Sequence, residues 1–306
     1  MKILILGIGG VGGFVGGALA KEGADVYFFA RGRNLEALKE KGLRLTSEIL
    51  GDFTVFPKDS GNDPLKWGKM DVIVLACKGN GLEEALKDIT PMIHEETLVV
   101  PLLNGVLDSE MIRPHLPPCH VADGTIRVFS HLKEPGHVLQ TAGLGSIRMG
   151  MYGKKNPQIL EDFAALLRKC GIEAESTEDI ALDSWKKYGI MGSNSAIFCY
   201  YGKPAGGVKE EEDHLKVVRA AVREVMDVAE KKGVQIPSAF EEKFVNYFES
   251  LPADTITSLF RDLSSGKKAD DTEAHMILGR MVEMGKETGV DVPVFTRAYE
   301  NALKGF

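Results

Sequence analysis

Gly7, Gly9 and Gly12 stand in the spacing G-x-G-x-x-G, filled out by Ile8, Gly10 and Val11. That spacing suits phosphate. The first glycine permits a tight turn, the second lets the backbone approach a pyrophosphate, and the third lets a helix pack close on the strand before it. The free N–H groups at the helix N-terminus then hold the anion. Further on, the apolar run Val26 to Ala30 ends at Arg31-Gly32-Arg33. A fold that binds NAD usually places an acid there to accept the ribose 2′-hydroxyl, whereas an arginine accommodates a 2′-phosphate. Asp25 lies at the wrong end of the run to substitute. A guanidinium stays charged and presents a planar fork to phosphate oxygens. These residues point to NADPH/NADP+, with Gly7, Gly9, Gly10, Val11, Gly12 and Arg31 as contacts and Arg33 as a helper; the alternatives are a merely glycine-rich turn and solvated loop arginines.

Four more places carry polar residues beside apolar elements. Lys78 follows the run Asp71 to Cys77, and Asn104-Gly105 follows Leu98 to Pro101. Both fall at the carboxyl ends of expected parallel strands, where open α/β sheets bind ligands, although a solvated lysine and an ordinary turn would look the same. Trp185-Lys186-Lys187 opens a small-residue, mostly apolar helix running through Ser193, Asn194 and Ser195 towards Tyr200. A lysine there is a candidate proton donor, because desolvation and nearby cations pull its pKa toward neutrality; the alternative is a packed stem with a wet head. Ser258, Asp262 and Thr272-Glu273 lie further on, with Thr272 as a candidate cap and Glu273 as either a site residue or a first-turn dipole partner.

These side chains need a scaffold. Lys2 to Leu6, Val26 to Ala30, Asp71 to Ala76 and Leu98 to Pro101 read as strands separated by helical stretches, the mark of βαβ units on a parallel sheet. Val121 to Met149 reads as hairpin-like strands added to that sheet's edge, and Gln158 to Cys170 as a covering helix. From about Asp179 the pattern changes to long helices, including Glu210 to Lys232 and Thr272 to Thr288, with Gly289 just past the end of the latter. The expected architecture is α/β: an N-terminal Rossmann-type doubly wound sheet over 1–178, followed by an all-helical domain over 179–306, with the reaction cleft between them.

The chain has 306 residues, 44% of them hydrophobic and 26% charged, which is ordinary globular composition. A net charge of −7 speaks against nucleic-acid and anionic-membrane surfaces, which favour basic patches. The four cysteines form no C-x-x-C and no zinc-ligand spacing, so reduced thiols, a cytoplasmic location and no metal are expected. No run of about 18 apolar residues suggests a membrane span.

Taken in order, these motifs resemble ketopantoate reductase, that is 2-dehydropantoate 2-reductase, over essentially the whole length. The matching features are GIGGVG with Arg31, the strand end Ala-Cys-Lys78, Leu-Leu-Asn104-Gly-Val, Trp185-x-Lys187, Ser258 followed by Asp262, and Thr272-Glu273 followed by Gly279. The resemblance implies NADPH-dependent reduction of the ketone of a 2-oxo acid, ketopantoate, to pantoate in pantothenate biosynthesis. It implies Lys187 rather than Lys186 as the general acid and Glu273 as the residue orienting substrate. Asn104, Lys78, Ser195 and Ser258 would line the site, and a homodimer is left open. The sequence departs from the family at Met191, where relatives often carry asparagine, and at His275, where an aspartate is common. Both departures touch the substrate pocket. Reduction of another branched 2-oxo acid is therefore the alternative, followed by a non-catalytic NADP(H) sensor.

Overall fold

The computed structural model describes residues 1–77, 81–106 and 108–306. By its internal contacts the chain divides into two units, one taking in Met1–Leu103 and the chain up to Ile180, the other Asn104–Val106 and Ala181–Phe306.

The first unit is built on a six-stranded parallel sheet: β1 (Lys2–Leu6), β2 (Asp25–Phe29), β5 (Asp59–Gly61), β6 (Val72–Leu75), β7 (Leu98–Pro101) and β8 (His120–Val121), in the order β5-β2-β1-β6-β7-β8. Every residue of β6 and β7 is buried. Continuous apolar runs of this kind belong to parallel strands covered on both faces, and the sequence is V-I-V-L in one and L-V-V-P in the other. Helices α1 (Gly10–Lys21), α2 (Gly32–Lys41), α3 (Leu82–Ile89) and the short α4 (Asp108–Ile112) follow β1, β2, β6 and β7 in turn.

A second sheet has the order β11-β10-β3-β4, with β9 also paired to β10. Its strands are β3 (Leu43–Ser47), β4 (Phe53–Val55), β9 (Asp123–Glu134), β10 (His137–Gly150) and β11 (Ala174–Ser176). The hairpin expected between Val121 and Met149 is thus present as β9 and β10, but it does not extend the parallel sheet. That edge is taken by β8, while β10 runs parallel to β3 with His137 opposite Arg44 and Gln140 opposite Ser47. Helix α5 (Gln158–Lys169) buries Leu160, Phe163, Ala164 and Leu167 in the core of this unit.

The second unit is helical. Its elements are α6 (Ile180–Tyr201), α7 (Ala205–Lys209), α8 (His214–Lys231), α9 (Ala239–Ser250), α10 (Ser258–Ser264), α11 (Arg280–Thr288) and α12 (Pro293–Lys304). Tyr188 of α6 is fully buried, meets Trp185 edge-on and stacks on Phe295 of α12, and its hydroxyl donates to the Ile277 carbonyl. The stretch expected as one helix from Thr272 is subdivided: a 3₁₀ turn at Ala269–Asp271 precedes Thr272, and a π-helical turn, His275–Gly279, leads into α11. Gly289, at φ 72°, closes α11 in the left-handed conformation that glycine adopts without a steric penalty. Among the described residues, no helix is long and apolar enough to cross a membrane.

Candidate functional site

The phosphate loop is held by what its glycines lack. Gly7 has φ 98°, and a Cβ there would lie 2.7 Å from the Cys77 nitrogen. A Cβ on Gly12 would sit 2.0 Å from the Gly7 carbonyl oxygen, so only glycine lets α1 start so close to β1. Gly10 is equally constrained: a Cβ would fall 2.2 Å from the Ser130 carbonyl oxygen, which brings β9 of the second sheet directly under the loop. Gly9 differs, since a Cβ there would meet nothing within 4 Å. It stands at the N-cap of α1 with no side-chain cap, and an uncapped helix N-terminus of this kind leaves first-turn N–H groups to an anion. Val11, partly exposed, is in that first turn.

Asn34 completes the support. Its side chain donates to the Ile8 carbonyl at 2.8 Å and accepts from the Gly136 N–H at 2.8 Å, tying the loop to the β9–β10 turn. The sequence offered no sign of this role, because Asn34 joins residues distant in the chain. A cleft of about 350 Å³ opens beside the loop, lined by Gly7, Gly9, Arg31, Asn34, Glu84 and Asp88 among others. The residues therefore fit a dinucleotide: an uncapped helix N-terminus for pyrophosphate, with the end of β2 bearing a cation.

That cation is not alone. Arg31 caps α2 in extended conformation, and its guanidinium lies 5.5 Å from the centre of the Phe29 ring. One arm of the fork meets Glu84 at 3.1 Å and the other meets Asp88 at 2.7 Å, both on α3. The hydrogen bond to Glu84 and the two negative charges hold its pKa above the ordinary value. Neither acid stood out in the sequence, because each reads as a polar position of an amphipathic helix.

In the helical unit, the Asn104 amide donates to both oxygens of Glu273, at 3.4 and 3.2 Å, across 169 residues of sequence. Glu273 precedes the π-helical turn, and Thr272 stands before it, buried, its hydroxyl donating to the Ala269 carbonyl and accepting from the Ala274 N–H. Lys187 is half-buried on α6, as is Lys186. Met191 and Ser195 follow Lys187 at successive four-residue steps, which sets all three on one helix face. Ser195 is fully buried, and among the described residues its hydroxyl has no partner; the same holds for the Ser193 hydroxyl and the Asn194 side-chain oxygen. Buried polar atoms are normally satisfied, so such a cluster invites a polar ligand or ordered water.

Ser258 is exposed at the first position of α10, whose cap is instead Thr257, accepting from Phe260 at 3.3 Å. Asp262 pairs with Lys267 at 2.6 Å. His275 lies between Asp270 at 2.7 Å and the Tyr299 hydroxyl at 2.5 Å. Lys78 lies outside the described residues. No group of three or more His, Cys, Asp or Glu side chains suited to a metal occurs among the described residues.

Comparison with known proteins identifies the family of the chain. The chain is 29% identical to the uncharacterized oxidoreductase YkpB of Bacillus subtilis over 98% of this chain and 97% of that protein. It is 28% identical to a 2-dehydropantoate 2-reductase of Pyrococcus horikoshii, covering 96% of this chain and 94% of the relative. The crystal structure of a PanE/ApbA family ketopantoate reductase from Ralstonia eutropha superposes with a TM-score of 0.86 at 25% identity, over 99% of this chain and 97% of the other. The model of the family described as ketopantoate reductase PanE/ApbA matches residues 3–154, and the model of its C-terminal part matches residues 179–304. The chain thus belongs to the ketopantoate reductase PanE/ApbA family and is an oxidoreductase, for which that family implies a nicotinamide dinucleotide cofactor.

Proposed function

We propose that this oxidoreductase reduces the ketone of 2-dehydropantoate to pantoate with NADPH. The observation that carries the reading is the pairing of Asn104 with Glu273, an amide and a carboxylate 169 residues apart in the sequence brought together at 3.2 Å. A carboxylate so held presents a fixed acceptor, which a substrate hydroxyl requires.

The residues divide the work. Gly9 and the first turn of α1 take the pyrophosphate, and Arg31 takes the 2′-phosphate. A bound nicotinamide supplies the hydride; orientation and charge are the protein's part. Lys187, protonated, gives its proton to the ketone oxygen as negative charge develops there, and its positive charge stabilises the same oxygen in the transition state. Glu273 accepts from the substrate hydroxyl, and Asn104 fixes the Glu273 carboxylate. Ser195, whose hydroxyl lacks a partner among the described residues, and Ser258 at the head of α10 supply further polar contacts to the acid. Lys78 belongs to the same proposed set through its place after β6.

A second reading, reduction of another branched 2-oxo acid, is favoured by Met191 and His275. Met191 puts a thioether where relatives often carry an amide, and His275 is engaged by Asp270 and Tyr299. The direct check is product identity: incubation with NADPH and ketopantoate should yield pantoate by mass spectrometry, in a ratio of one to each cofactor oxidised. Recovery of unchanged ketopantoate would contradict the proposal.

A further inference from the structure

Arg31 is the cation expected to read a 2′-phosphate, yet both arms of its fork are already engaged by carboxylates. Glu84 stands at 3.1 Å and Asp88 at 2.7 Å, one helical turn apart on α3. All three side chains line the same cleft as Gly7 and Gly9. The Arg31 side chain is 51% exposed and that of Glu84 67%, so these ion pairs are screened by water and contribute little to folding. Their consequence falls on whatever enters the cleft. A phosphate arriving at Arg31 must share the guanidinium with two carboxylates and tolerate their negative charge nearby, whereas a ribose hydroxyl finds in the same carboxylates the acceptors that an acid at the end of β2 would have given.

Resting on the reading of this cleft as a nicotinamide dinucleotide site, we propose that Glu84 and Asp88 are specificity-determining residues that narrow the preference for NADPH over NADH. Arg31 favours the phosphorylated cofactor; the acid pair on α3 opposes it, and the balance lets both cofactors bind. The acids would also be a route to discrimination in either direction. Neutralising them frees the Arg31 fork for phosphate, and removing the arginine leaves a site with acceptors only.

Calorimetric titration of NADPH and NADH into the unliganded protein tests this without reference to turnover. The proteins required are the parent, Glu84→Gln, Asp88→Asn and the double variant. In the double variant the ratio of NADH Kd to NADPH Kd should rise roughly tenfold over the parent, with each single variant between, because two negative charges beside the phosphate are gone. NADH affinity should stay level or weaken. A ratio unchanged in all three variants, with NADPH still bound, would overturn the proposal while leaving the cofactor reading intact. Binding of neither dinucleotide by the parent would instead overturn the cofactor reading itself. Glu84 is exposed and Asp88 half-buried at the edge of the cleft, so closely matching melting temperatures of the apo variants should accompany the expected result.

Discussion

At the scale of single residues, the proposal assigns different duties to two adjacent lysines. If Lys187 is the general acid, Lys187→Ala should lower kcat on the order of 10² to 10⁴-fold while NADPH affinity hardly changes, and Lys186→Ala should be mild. A swap of these effects in steady-state kinetics would reassign the proton donor. Glu273 separates substrate binding from helix stability. As a partner for the helix dipole alone it would contribute ~0.3 to 1 kcal/mol to folding and nothing specific to turnover. As a ligand for the substrate hydroxyl, Glu273→Gln should cut kcat/KM for ketopantoate severely and leave the melting temperature and NADPH binding almost unchanged. The Asn104 contact sharpens the expectation, since residues acting through one hydrogen-bonded unit are non-additive. Asn104→Ala added to Glu273→Ala should therefore cost far less than it costs alone.

At the scale of elements, the loop between β1 and α1 makes a prediction that distinguishes folding from binding. Gly9→Ala places its methyl group in open space, at φ −98°, so the protein should fold normally and bind NADPH at least tenfold more weakly by calorimetry, the new methyl occupying the anion's place. Gly12→Ala instead collides with the Gly7 carbonyl and should lower the melting temperature sharply. Helix α12 offers a pH test. Glu224 of α8 is buried and accepts from the Val294 and Phe295 N–H groups at 2.8 and 3.1 Å. Burial pushes its carboxyl up from 4.5 to about 7, against those two hydrogen bonds and helped by Asp227. A carboxyl with a raised folded-state pKa stabilises most below its unfolded value, and that contribution is lost as pH rises through about 7. The melting temperature should thus fall between about pH 4.5 and 7 by more in the parent than in Glu224→Gln, which keeps an acceptor but does not titrate. Parallel curves would remove Glu224 from the pH dependence.

The same elements show what the sequence carried. The first strand, the glycine loop and the following helix were legible because strand, turn and helix are local patterns, and β1 and β7 coincide with the apolar runs Lys2 to Leu6 and Leu98 to Pro101. The membership of β9 and β10 was not, because sheet choice depends on the register of β10 against β3, some ninety residues earlier in the chain. The π-helical turn after Glu273 was also hidden, since its residues carry the apolar periodicity of an ordinary helix. For the candidate site, Arg31 could be picked out by its place after β2, but its engagement by Glu84 and Asp88 could not, because it depends on how α3 docks rather than on local spacing.

At the scale of the whole molecule, the chain joins a dinucleotide-type sheet to a helical unit that holds Asn104 with Glu273, and carries a net charge of −7. Attraction for an anionic cofactor must therefore be local, which makes Arg31 decisive. An unopposed charge-assisted contact to phosphate is worth about 1.5 to 3 kcal/mol; shared with Glu84 and Asp88 the Arg31 contact contributes less, so NADPH should be the better cofactor by a narrowed margin, and Arg31→Ala should narrow it further in kcat/KM. Equal values for NADPH and NADH in the parent would remove that argument. The central claim, reduction of ketopantoate, is tested most directly by kcat/KM measured from NADPH absorbance across a panel of 2-oxo acids that includes ketopantoate, its branched homologues and pyruvate. The account predicts the highest value for ketopantoate and a steep fall for acids lacking its hydroxyl. NADPH oxidation absent with every acid of the panel, or faster with pyruvate than with ketopantoate, would contradict it.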